Sequence, residues 1–98
     1  MNANAILHDA LAEYIGALLA GLRVTKHATD REFYKQHLAD AAVLFHALQE
    51  GDVAALKTQL EQSQRTCGWS LLPGDEGNAA EKAFYDFARR ANDPSNWR

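Results

Sequence analysis

The stretch Leu48-Gln49-Glu50-Gly51-Asp52-Val53-Ala54-Ala55-Leu56 decides how this chain folds. Gly51 follows an apolar helical pattern and is the residue type that best tolerates the left-handed conformation closing a helix. Asp52 stands directly after it, where a carboxylate can accept from the first free N–H groups of a new helix. Glu50-Gly51-Asp52 therefore reads as a tight turn between two antiparallel helices. On its own the stretch has the form of one unit of a helical-repeat array, but such arrays need about three units to bury a core. A single pair makes a bundle element.

Working outward, Phe33, Tyr34, His37, Leu38, Ala41, Leu44, Phe45 and Leu48 share one face of the preceding helix. Thr29 with Glu32 has the T-x-x-E form of a capping box and places the start at residue 29. After the turn, Val53, Leu56, Leu60 and Cys67 form a narrow stripe on a helix over residues 53–66. Toward the N-terminus, Leu7, Leu11, Tyr14, Ile15, Leu18, Leu19 and Leu22 fall within an arc of roughly 140° on a helix over residues 3–22. Asp9 and Glu13 oppose that arc, and Gly21 with the polar residues after it closes the helix. A loop over residues 68–77, broken by Pro73-Gly74, leads to a fourth helix over 78–91. Asn78 and Glu81 form its capping box, and it buries Ala80, Phe84, Phe87 and Ala91 before Asn92-Asp93-Pro94 stops it.

No useful segment alternates with period two, so the expected class is all-α: a four-helix bundle, antiparallel and up-down-up-down. Residues 1–93 form one helical domain, and residues 94–98 form a C-terminal tail from which Trp97 can dock back. A chain of 98 residues has room for one core, and 47% apolar with 23% charged residues excludes disordered, collagenous and disulfide-scaffold classes. Ten Lys and Arg against thirteen Asp and Glu give a net charge of −3, the wrong sign for a phosphate-coating protein. The single cysteine, Cys67, permits no intrachain disulfide and fits a reducing cytoplasm. The uninterrupted apolar run Tyr14–Leu22 is shorter than the roughly 20 residues that span a bilayer, so no membrane partner is expected.

The chemistry-bearing residues give few signals. His37 and His46 are nine residues apart and cannot share an ion within one subunit. His37 lies within the apolar face and reads first as a buried, hydrogen-bonded imidazole. Its second reading is a metal or small-ligand site with Tyr14 or Asp40 as neighbours. Cys67 continues the stripe of its helix and reads as a buried, inert thiol. No glycine-rich phosphate loop, G-x-S-x-G elbow or inward pair of carboxylates occurs, so neither a catalytic residue nor a cofactor is expected. Lys82, Arg89 and Arg90 lie around Asp86, an arrangement explained by ion pairs within the helix rather than by nucleic-acid binding.

Two surface features stand out. The loop Trp69-Ser70-Leu71-Leu72-Pro73 is apolar for a connection. It either lids the bundle or offers an anchor for another protein, with Tyr85 and Arg89 extending that patch. Ala12, Gly16 and Ala20 recur every four residues on the polar side of the first helix. Gly16 in mid-helix calls for a close approach, inside the bundle or across a homodimer. The expected function is a small non-catalytic cytoplasmic protein acting by contact, as adaptor, regulator or inhibitor of a larger complex, through Trp69, Leu71, Leu72, Tyr85 and Arg89.

Overall fold

The computed structural model describes residues 3–65 and 74–97, and within them every regular element is helical. The order is α1 (Ala5–Val24), α2 (Ala28–Glu50), α3 (Val53–Arg65) and α4 (Gly74–Ala91), followed by a 3-10 turn at Pro94–Asn96. Helix α1 packs against both α2 and α4, and α2 packs against α3. The result is elongated, 42 × 20 × 18 Å.

The central turn forms from the residues that announce it. Gly51 adopts φ 67°, ψ 24° and donates its N–H to Leu48 O, while the Asp52 N–H donates to Ala47 O at 3.0 Å. That pair of bonds satisfies the last carbonyls of α2. Asp52 Oδ1 then accepts from the Ala55 N–H at 3.0 Å and starts α3.

The other helix ends depart from the local signals. Helix α2 begins at Ala28, with His27 at its N-cap and no side-chain cap bond, so the Thr29–Glu32 box is not formed. The connection from α1 is instead held by Arg31, whose Nη1 donates to Leu22 O at 2.6 Å and Thr25 O at 3.0 Å. A guanidinium there satisfies carbonyls at the α1 C-terminus and complements its negative dipole end. The Asn78–Glu81 box also fails, because α4 starts at Gly74 and Asn78 already lies inside it. Asp75 and Glu76 occupy the first turn, where negative charge is favoured. Gly21 does not close α1. The helix runs on to Val24, and Gly21 is buried within it.

Trp97 docks back from the expected tail and Asn96 is buried with it, while Pro94 and Ser95 stay exposed. The Trp97 indole is 7% exposed and its Nε1 donates to Ala91 O at 2.9 Å. Asn96 donates to Arg90 O at 2.9 Å and accepts from Asn4 Nδ2 at 3.1 Å. Asn4 in turn caps α1 by accepting from the Ile6 and Leu7 N–H groups, and Ala3 bridges to Trp97. The start of α1 and the end of α4 are thus clasped by side chains that satisfy each other's polar groups.

The core follows the expected stripes. Leu7, Leu11, Tyr14 and Leu18 of α1 share one buried cluster with Ala80, Phe84, Phe87 and Ala91 of α4, Tyr34, Leu44 and Leu48 of α2, and Leu56 and Leu60 of α3. Tyr14 and Phe84 pack edge to face with ring centroids 5.4 Å apart. Leu19 and Phe45, expected inside, are 52% and 43% exposed. Both sit at the margin of a wide apolar arc, beyond the reach of the two helices that flank α1 or α2. Ser63, absent from the expected core, is buried and accepts from Gln59 Nε2 at 3.3 Å.

Candidate functional site

Helix α4 turns Phe84 and Phe87 inward, which carries Tyr85, Asp86, Arg89 and Arg90 to its outer side. Tyr85 is 44% exposed, and its ring lies edge-on to Phe84 at 5.5 Å. The buried ring thus orients the exposed one. Asp86 accepts from Arg90 Nε at 2.9 Å and from Arg89 Nη2. These bonds, that from Arg90 foremost and then that from Arg89, hold the Asp86 carboxyl below the usual carboxylate range. The ion pairs expected around Asp86 are therefore present for both arginines. At a surface such pairs contribute little stability. Of the residues expected at a partner contact, Tyr85 and Arg89 stand one turn apart and exposed, while Trp69, Leu71 and Leu72, like Cys67, lie outside the described residues.

Beside this patch runs a furrow between α1 and α4 that the sequence reading missed. One section of about 220 Å³ is lined by Ile6, Asp9, Ala10, Glu13, Asp86 and Arg90. A second, of about 260 Å³, is lined by Glu13, Ala79, Lys82, Ala83 and Asp86. The sections share Glu13 and Asp86. Small residues along it, Ala10 in the first section and Ala79 and Ala83 in the second, were the available sign of it. The furrow carries charges of both signs, which suits recognition of a polar segment better than capture of an apolar molecule.

His37 is 3% exposed. Burial draws its pKa below the ordinary histidine value, and Asp40 partly opposes that shift. Among the described residues, no group of three or more His, Cys, Asp or Glu side chains is placed to hold a metal ion. The lowered pKa has a stability consequence. Folded His37 stays neutral where the unfolded chain, with a pKa near 6.5, takes up a proton. Stability is full above about pH 6.5 and falls as pH drops below it, by at most about 1.4 kcal/mol per pH unit from this one group. Urea midpoints at about pH 7.5 and about pH 5.5 should show that decline, and His37→Gln should flatten it. An equal decline in the variant assigns it to other groups.

On the outer side of α1, Ala12, Gly16 and Ala20 are all exposed. A methyl group built on Gly16 would meet no heavy atom within 4 Å among the described residues, so none of them makes the close approach expected there. Gly21 does allow one, since such a methyl there would overlap the ring of Tyr34. By length and composition α1 is also apolar enough to cross a membrane, with 33% of its most apolar window buried. Asp9 and Glu13 interrupt the run of apolar residues without lowering that average far. Comparison with family models, curated proteins and solved structures finds no significant match.

Proposed function

We propose that this chain is a non-catalytic cytoplasmic protein that acts by protein–protein contact, as an adaptor, regulator or inhibitor of a larger complex. In this reading its helices form an antiparallel up-down-up-down bundle, and the contact surface joins Tyr85 and Arg89 to the loop bearing Trp69, Leu71 and Leu72. The observation that carries it is the exposed Tyr85 ring packed edge-on against buried Phe84, beside an exposed Arg89 paired with Asp86. Aromatic and arginine side chains are enriched among interface anchors, and a ring already packed on a buried neighbour loses little side-chain entropy on binding. The same reading includes self-association through the Ala12, Gly16 and Ala20 face of α1.

The test is capture of partners from the source lysate by the wild-type chain and by Tyr85→Ala, Arg89→Glu and Trp69→Ala variants. Each variant should lose the captured partner and keep its helical circular dichroism, because Tyr85 and Arg89 are exposed. Retention of the same partner by all three would sink the proposal. A collapse of the helical signal in Trp69→Ala would assign that residue to the core.

A further inference from the structure

We propose that α1 pairs with α1 of a second copy of this chain, antiparallel and centred on Gly16, with Asp9 of each copy against Arg23 of the other. This rests on the self-association reading above and gives it a partner face and a register.

The outward face of α1 is the starting point. A helix that buries one stripe ordinarily turns charged residues to water on the other side. Here Ala12, Gly16 and Ala20 are exposed between Asp9 and Arg23, and Leu19 projects beside them at 52% exposure. At 100° per residue, Asp9, Ala12, Gly16, Ala20 and Arg23 cluster around one line on that face. Along that line the residue types are arranged symmetrically about Gly16. Ala12 and Ala20 stand one turn to either side, and Asp9 and Arg23 stand two turns to either side, with opposite charges. In an antiparallel pair crossing at Gly16, residues equally distant from the crossing point meet. Alanine then meets alanine, and each aspartate meets an arginine, twice. Parallel pairing would set Asp9 against Asp9 and Arg23 against Arg23.

Gly16 weakens the helix relative to alanine, and a methyl group there would meet nothing among the described residues, which a close helix crossing explains. Small side chains let two backbones approach, and Leu19 then covers the seam from one side. Neither Asp9 nor Arg23 joins an ion pair among the described residues, so both charges are available. A lipid surface fits this face less well. Interfacial helices bury large apolar side chains flanked by Lys and Arg, whereas this face is mostly alanine and glycine beside Asp9 and Glu13.

The test is sedimentation equilibrium of the full chain. The wild type should dimerise, less tightly as salt is raised. Asp9→Arg and Arg23→Asp should each weaken dimerisation by about tenfold or more, because like charges then face each other at both ends. An equimolar mixture of those two variants should recover it, since the arginines of one face the aspartates of the other. Gly16→Leu should be monomeric with its helical signal intact, the added side chain entering open space. A monomeric wild type overturns both this proposal and the self-association reading. A dimer indifferent to the charge reversals, or variants whose mixture fails to recover, overturns the register and leaves self-association standing. A monomer that co-sediments with vesicles of zwitterionic or mixed anionic lipid gives the face to membranes and overturns the proposal.

Discussion

Replacing Gly21 with alanine is expected to cost about 3 kcal/mol of stability, even though alanine is the better helix former by about 1 kcal/mol. The reason is steric. A Cβ at position 21 would overlap Cε1, Cζ and the hydroxyl oxygen of Tyr34, a ring that is fully buried. Either the ring leaves the core or α1 and α2 separate, and both expose apolar surface that the native packing keeps dry. For a chain of this size a loss of that order lowers the melting temperature by roughly 10–20 °C. It is a large share of the roughly 5–15 kcal/mol a domain of this length holds.

The explanation is separable from a general intolerance of α1. In Gly21→Ala combined with Tyr34→Leu, the smaller side chain leaves room for the methyl. The pair should therefore show a coupling of about 1 kcal/mol or more in urea unfolding. Tyr34→Phe alone should be close to neutral or stabilising, because the Tyr34 hydroxyl is buried without a hydrogen-bond partner among the described residues. Burial, then Glu76 and Asp30, raise its pKa, so that hydroxyl holds its proton through the physiological range. Additive effects in the double variant would show that the Gly21–Tyr34 contact is not the cause.

These residues also show how far the fold was legible in the sequence. The turn at Gly51 was readable because its chemistry is local: a left-handed glycine and a capping aspartate act within a few residues of chain. Gly21 was not, since a residue without a side chain leaves no mark on an apolar period and its partner comes from another helix. The two capping boxes misled for the complementary reason. Thr29 and Asn78 carry valid local signals, but Arg31 reaching back to Leu22 and Thr25, and acidic residues before Asn78, set the helix starts elsewhere. Leu19 and Phe45 were misplaced because periodicity gives the centre of an apolar arc and not its width, which depends on how many neighbours a helix has. For the proposed contact surface, exposure of Tyr85 at the edge of its helical arc was readable. The furrow beside it was not, because it arises between two helices far apart in sequence.

Phe84→Ala should be the most damaging single truncation in the described core, at about 3–5 kcal/mol. Phe84 is fully buried between α4 and α1, the pair of helices in closest association, and its removal leaves a void where rigid neighbours cannot follow. Tyr14 loses an edge-to-face partner at 5.4 Å and Tyr85 one at 5.5 Å. The first loss acts on stability: a Tyr14–Phe84 double-mutant cycle should return about 0.5–1.5 kcal/mol beyond area burial. The second acts on the surface, because Tyr85 without its buried neighbour is no longer held in one orientation. Phe84→Leu keeps most of the volume and should cost less than about 1.5 kcal/mol while still removing the ring that orients Tyr85. If the Tyr85 face binds a partner, Phe84→Leu should weaken capture in a chain that remains folded. The effect should be smaller than that of Tyr85→Ala. Full capture by Phe84→Leu would mean that Tyr85 binds without being held in place, and a stability loss below about 1 kcal/mol in Phe84→Ala would mean that the α1–α4 seam collapses around the void.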